Sequence, residues 1–126
     1  MTDEDVLSHQ IVGAAIEVHR HLGPGLLESA YEQCLAHELT ERGVSFELQK
    51  PVAVEYKGVK LDCGFRPDFL VGGLVIVEVK SVQDLAPIHT AQVLTYLKLT
   101  GCKLGILLNF NVRLLSDGIR RVVLKL

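Results

Sequence analysis

The sequence predicts an α/β fold, a mixed β-sheet flanked by helices and built in the order ααβββαββ. Three observations lead there. Residues 3 to 42 carry apolar side chains at helical spacing, interrupted once at "HLGPG" (residues 21–25). Residues 46 to 82 switch to alternation and β-branched runs. A further helical stretch then lies between two apolar strand segments, a βαβ crossover that makes those strands parallel neighbours.

The first helix is expected from about Asp3 to about His21. Thr2 is its N-cap, and Asp5, three residues on, completes a capping box. Val6, Leu7, Ile11, Ala14, Ala15 and Val18 form its stripe. Gly23 and Gly25 around Pro24 stop it. The second helix runs from about Leu26 to near Arg42, where Gly43 suits the C-terminal stop. Leu27, Ala30, Tyr31, Cys34 and Leu35 make its apolar face. Glu28, aligned with Tyr31 and Leu35, is expected beside the core rather than in open solvent.

Phe46, Leu48, Val52, Val54 and Tyr56 mark the first strand, with Pro51 implying an edge position or a bulge. Leu61, Cys63, Phe65 and Phe69 mark the second, antiparallel to it across the "YKG" turn. "VGG" turns into the third strand, Leu74 to Val82. The third helix spans roughly Pro87 to Leu99, with Pro87 in its first turn and Gly101 after its end. "KLGILLNF" (103–110) and "IRRVVLKL" (119–126) are the last two strands.

The 126 residues fit a single domain, residues 1 to 126, whose core needs no disulfide. The net charge of -2 argues against a protein that coats nucleic acid, but a local basic patch would suffice for an enzyme. Cys34, Cys63 and Cys102 are odd in number and widely spaced, so they are expected as buried or half-buried thiols in a reducing cytosol, not as a disulfide or zinc framework. The acidic start "MTDEDVLSHQ" does not read as a secretory signal, and no apolar run is long enough for a membrane span, so a cytoplasmic protein is expected.

The segment "VIVEVK" (75–80) poses the functional question. Alternation puts Ile76, Glu78 and Lys80 on one face of a central strand. Two charges there are costly unless paired, solvated by a cleft or bound to metal. A salt bridge between them would account for both without any function. Asp68 in "RPDF" changes the reading, because the short "VGG" connection brings it close to Glu78. Two adjacent carboxylates force a proton onto one of them unless a cation lies between. Hard carboxylate oxygens suit Mg²⁺ (or Mn²⁺), which polarises a phosphate oxygen and acidifies a bound water. A lysine beside it orients that water or stabilises developing charge.

With Pro67-Asp68 followed by Glu78-Val79-Lys80, the chain resembles the PD-(D/E)xK nuclease superfamily. Gln92 and Tyr96, four apart on one face of the next helix, look like the Q-x-x-x-Y motif of its RecB-type nucleases. Glu28 matches an extra acid on an early helix of many members. "GLLESAY" (Gly25, Glu28, Tyr31) resembles the signature of the bacterial GxxExxY family, and "RPDFLV", "VIVEVKSV" and "YLKLTGCKLGILLNF" extend that likeness over nearly the whole chain. The resemblance implies a restriction-endonuclease-like core with its site at one end of the sheet. It implies that Asp68, Glu78 and the Val79 carbonyl hold the metal, that Glu28 binds it directly or through water, and that Lys80 orients the attacking water. Gln92 would hold Lys80 or the substrate phosphate, and Tyr96 would pack against the site or touch substrate. Arg66, with Arg20, Lys50 and Lys57, is a candidate phosphate contact.

Local alternatives accompany these assignments. Glu28 also fits a helix N-terminus, where the dipole favours an acid; Tyr31 reads as core, and Gln92 also reads as a solvated helix residue. Strict alternation from Leu61, Cys63 and Phe65 aims Asp68 away from their face, so Pro67 is expected to mark a bulge or bend. His19 and His21 point about 200° apart on a helix and make poor joint ligands. The histidines are expected at the surface, with His89 on the Gln92 stripe placed to line the cleft. Asn109 and Arg113 lie near the same end of the sheet. The function expected is a Mg²⁺-dependent nuclease cutting phosphodiester bonds in nucleic acid, with DNA favoured over RNA and neither excluded, for which a homodimer or partner would help hold substrate. The alternatives are a nucleic-acid-binding or regulatory module without efficient turnover, and an interaction scaffold whose acids form a satisfied polar network.

Overall fold

A computed structural model describes residues 2 to 124. Helix α1 (Asp3–Leu22) opens with the predicted capping box: the Asp5 N–H donates to Thr2 Oγ1 at 3.1 Å and the Thr2 N–H to Asp5 Oδ2 at 3.2 Å. Its buried side is Ile11, Ala14, Ala15 and Val18. Helix α2 (Glu28–Glu41) buries Tyr31, Leu35 and Leu39, the i, i+4, i+8 line of a helix that rests one stripe on a core.

The strands are β1 (Phe46–Leu48), β2 (Val54–Tyr56), β3 (Val59–Leu61), β4 (Phe69–Val71), β5 (Val75–Lys80), β6 (Leu104–Asn109) and β7 (Ile119–Val123), with helix α3 (Pro87–Thr100) between β5 and β6. Five of them form one sheet in the order β1-β4-β5-β6-β7. β5 and β6 are parallel, as the crossover through α3 requires, and every other pair in the sheet is antiparallel. A short 3₁₀ turn, Leu115–Gly118, precedes β7. Lys125 and Leu126, the end of the predicted last strand, lie outside the described residues.

The sheet separates two apolar layers. Phe69, Val71, Val75, Val77, Val79, Ile106 and Leu108 pack with α1 and α2. Ile76 and Leu107 pack with Val93, Tyr96 and Leu97 of α3. Glycine at 105 on β6 leaves the space that the Val93 side chain occupies, so α3 lies close on the sheet there.

The two long strands expected between residues 46 and 69 are four short ones. β1 stops at Leu48, before Pro51, which has no N–H to continue a ladder. β2 and β3 form a separate hairpin. Its turn residues Lys57 and Gly58 have φ of 50° and 81°, the left-handed pair that a tight hairpin needs. The hairpin has little to pack on: Tyr56, Val59 and Leu61 are exposed, as is Cys63 beyond it. Of the three thiols, only Cys102 is buried, since Cys34 also faces solvent. Because β3 ends at Leu61, its alternation does not reach Asp68. β4 sets its own register, and the expected conflict over where Asp68 points disappears.

Candidate active site

The site grows from the point where β4 and β5 part. Their ladder pairs Val71 with Val75, Leu70 with Ile76 and Phe69 with Val77. One step further in the same register, Asp68 stands opposite Glu78. Here side chains replace the ladder. The Asp68 N–H donates to Glu78 Oε2 at 2.8 Å, and the Val79 N–H donates to Asp68 Oδ2 at 2.8 Å. Each carboxylate therefore satisfies a backbone donor left over by the diverging strands.

Pro67 is opposite Val79 by the same count, and it is buried. The Val79 N–H points toward β4, so the Val79 carbonyl points there too. Proline offers it no N–H in return. The Val79 oxygen thus lacks a ladder donor from β4 beside the two carboxylates, where an oxygen ligand for a cation would be of use.

Glu78 is 3% exposed. Burial pushes its carboxyl up to about 9, helped by the hydrogen bond and the charge of Asp68; the Asp68 backbone N–H and Lys80 oppose the rise. Lys80 lies on the same face, half-buried, and its Nζ donates to Gln92 Oε1 at 3.4 Å. Lys80 thus reaches α3, and no short Lys80–Glu78 ion pair exists among the described residues. The simple salt-bridge explanation of "VIVEVK" therefore does not hold.

The other predicted residues divide. Gln92 joins the site through Lys80. Tyr96 is buried behind it, its ring edge-on to Phe65 with centroids 6.0 Å apart. Burial and the Glu78 and Asp68 charges push its phenol up, against the Arg66 backbone and the Gln92 side chain. Tyr96 thus packs behind the site and is not open to solvent, so it is not placed to touch substrate. The Arg66 side chain is exposed and reaches Asp62 at 3.7 Å.

Glu28 is exposed, contrary to the expectation that it sits beside the core. Its angular position on α2 is right, but no element covers the first turn, and Leu26 and Leu27 are exposed with it. It remains an acid at a helix N-terminus. Among the described residues no group of three or more His, Cys, Asp or Glu side chains is placed to hold a metal, so Glu28 is not gathered with Asp68 and Glu78.

Tyr31 is core, stacked on Phe110 at 4.5 Å; its hydroxyl donates to the Gly23 carbonyl at 2.6 Å and accepts the Leu26 N–H at 3.1 Å, holding the loop before α2. Asn109 staples the exit of β5, accepting the Val82 N–H at 3.1 Å and donating to the Val82 carbonyl at 3.0 Å. His89 caps α3, its Nδ1 accepting the Ala86 N–H. His19 is not at the surface; it is buried, with Nε2 2.8 Å from the Val112 carbonyl. Arg20 and Arg113 line a groove of about 430 Å³ with His19, and Lys50 lines another of about 420 Å³ with Pro67.

One residue that the sequence pattern does not mark touches the site, and a second holds it there. Gln49, just after β1, donates through Nε2 to Asp68 Oδ1 at 3.1 Å and to Glu32 Oε1 of α2 at 2.9 Å. These bonds span 19 and 17 residues, and no local pattern announces them.

The donor set is all oxygen, two carboxylates and a carbonyl with no ladder donor from β4, and the burial that pushes the Glu78 carboxyl up beside a second acid is a cost that a cation would relieve. That chemistry fits a hard divalent ion which keeps the rest of its shell as water or phosphate oxygens. No curated protein and no solved structure matches the chain significantly. No helix among the described residues is long and apolar enough to cross a membrane. A family model described as the PD-(D/E)XK nuclease superfamily matches residues 5–122, which include every residue of the site above. The chain belongs to that superfamily, with a nuclease-type function carried on a restriction-endonuclease-like sheet.

Proposed function

We propose that the chain, a single domain over residues 1–126, is a Mg²⁺-dependent nuclease that hydrolyses phosphodiester bonds in DNA, with Mn²⁺ able to substitute. The observation that carries this reading is the in-register meeting of Asp68 and Glu78, with Lys80 and Gln92 on the same face. Members of the superfamily generally use divalent metals. The "GLLESAY" signature supports placing the chain in the GxxExxY branch as a cytoplasmic enzyme, and Gln92-x-x-x-Tyr96 supports DNA as the substrate.

Asp68, Glu78 and the Val79 carbonyl would hold the ion, with Glu28 contributing at most through water. When bound, the ion supplies positive charge against a phosphate oxygen and lowers the pKa of a water. The rest falls to the protein's own groups. Lys80, on the same face as Glu78, orients the attacking water through its Nζ and stabilises negative charge that develops on the phosphate. Gln92 fixes the Lys80 ammonium through its Oε1. Arg66, exposed next to this face, contacts a neighbouring phosphate.

The test is cleavage of single- and double-stranded DNA and RNA with Mg²⁺, with Mn²⁺ and with chelator, alongside Asp68→Ala. Metal-dependent cleavage of DNA, lost in the variant, is the expected result. Saturable metal-independent binding without cleavage would instead favour a binding module.

A further inference from the structure

We infer that Gln49 is a positioning residue for Asp68, held in place by Glu32, so that helix α2 and the segment after β1 together fix the site's carboxylate. This rests on the reading of Asp68 as a metal ligand. Three observations support it. Gln49 has φ of 52°, a left-handed conformation that an unbranched non-glycine residue adopts only at a cost. Its backbone N–H donates to the Asp68 carbonyl at 3.2 Å, so main chain and side chain grip the same residue. Its amide nitrogen lies within hydrogen-bond reach of two acids, Glu32 and Asp68. Both are acceptors when ionised, so the nitrogen must face them and the carbonyl oxygen must face away.

The geometry gives the amide a definite task. Asp68 Oδ2 takes the Val79 N–H, and Asp68 Oδ1 takes Gln49. Two donors on two oxygens leave the carboxylate no free rotation about its Cβ–Cγ bond. Removing Gln49 releases one oxygen and lets the other drift from Val79. Glu32 completes the arrangement by holding the second N–H of the amide, and Gln49 keeps Glu32 and Asp68 from facing each other without a donor between them.

The experiment uses the full chain with Gln49→Gly and Gln49→Met. Glycine relieves the left-handed backbone while removing the amide; methionine keeps the length and removes the donors. Three quantities are read: the exchange rate of the Val79 amide by NMR without metal, Mn²⁺ affinity by calorimetry, and the thermal midpoint. The inference expects Val79 exchange to rise by about tenfold in both variants with Val77 unchanged. It expects Mn²⁺ to bind about 10- to 100-fold more weakly, with the glycine variant melting no lower than the parent. Unchanged Val79 exchange in both variants overturns it. So does a general rise in β5 exchange with a lower midpoint, which would make Gln49 structural only. A parent that neither binds Mn²⁺ nor cleaves defeats the nuclease reading alone, because Val79 exchange still decides whether Gln49 positions Asp68.

Discussion

Replacing Glu78 by Gln should make the metal-free protein more stable at neutral pH while abolishing cleavage. The reason lies in the proton that burial puts on Glu78. Its carboxyl is pushed from 4.5 to about 9 in the folded state. Between those values the folded protein holds a proton that the unfolded chain has released, so stability is full below pH 4.5 and falls as pH rises toward 9. At pH 7 the shortfall covers the interval from 4.5 to 7, which at about 1.4 kcal/mol per pH unit is on the order of 3 kcal/mol. Glutamine reproduces the protonated form without titrating. Its carbonyl takes the Asp68 N–H that Glu78 Oε2 accepts at 2.8 Å, and its amide donates toward the Asp68 carboxylate.

Urea and thermal unfolding of both proteins in chelator, from pH 5 to 8.5, measures the difference. The variant should lead by on the order of 3 kcal/mol at pH 7, roughly 10 °C for a domain of this size. The lead should close as pH falls toward 4.5. A variant less stable than the parent at pH 8, or a lead that widens on acidification, would overturn this account of Glu78. The first result would mean that the two acids are a satisfied network contributing to the fold. The expected result would mark them as groups kept together at a cost to stability.

Three further outcomes follow from the same geometry. Lys80→Ala should leave the fold within about 1 kcal/mol, since Lys80 makes one long bond to Gln92, yet lower the single-turnover cleavage rate by about 100-fold or more. Tyr31→Phe removes a buried hydroxyl with two partners and should cost about 1–3 kcal/mol in urea unfolding, leaving the Leu26 N–H without its acceptor. Gly105→Ala puts a methyl into the Val93 side chain, whose β-branching leaves it little room to turn; a loss of about 1–3 kcal/mol is expected from thermal unfolding.

Much of this site was readable in the sequence because its key pair is local in the topology. Glu78 and Lys80 share a face by the two-residue period of a strand, and the two-glycine connection at Gly72 and Gly73 leaves β4 and β5 a single antiparallel register. The caps of α1 and the start and stop of α3 are likewise written in Thr2, Asp5, Pro87 and Gly101. What failed depended on what lies across from a residue. Cys34 and Glu28 have the right helical angle, but both are exposed, and Leu27 falls outside the helix as its extended N-cap. His19 looks like a surface residue by type and is buried because the Val112 carbonyl meets it. Gln49 depends on a left-handed backbone and on two distant acids, none of which has a local signature.

The same geometry answers how a sheet tolerates these acids. Where β4 and β5 separate, main-chain donors lose their ladder partners, and proline at 67 removes one donor more. Asp68 and Glu78 become the acceptors that finish the ladder, so each has a structural contact that holds it in place without metal. What that contact does not remove is the cost of burying one acid beside another, which is why the Glu78 carboxyl is pushed up. The strands thus bring the acids together through backbone hydrogen bonds, and relief of their repulsion is what a cation would supply under the proposed function. On the proposed function, a change that relieves the repulsion should stabilise the sheet and remove the site's attraction for metal in the same step.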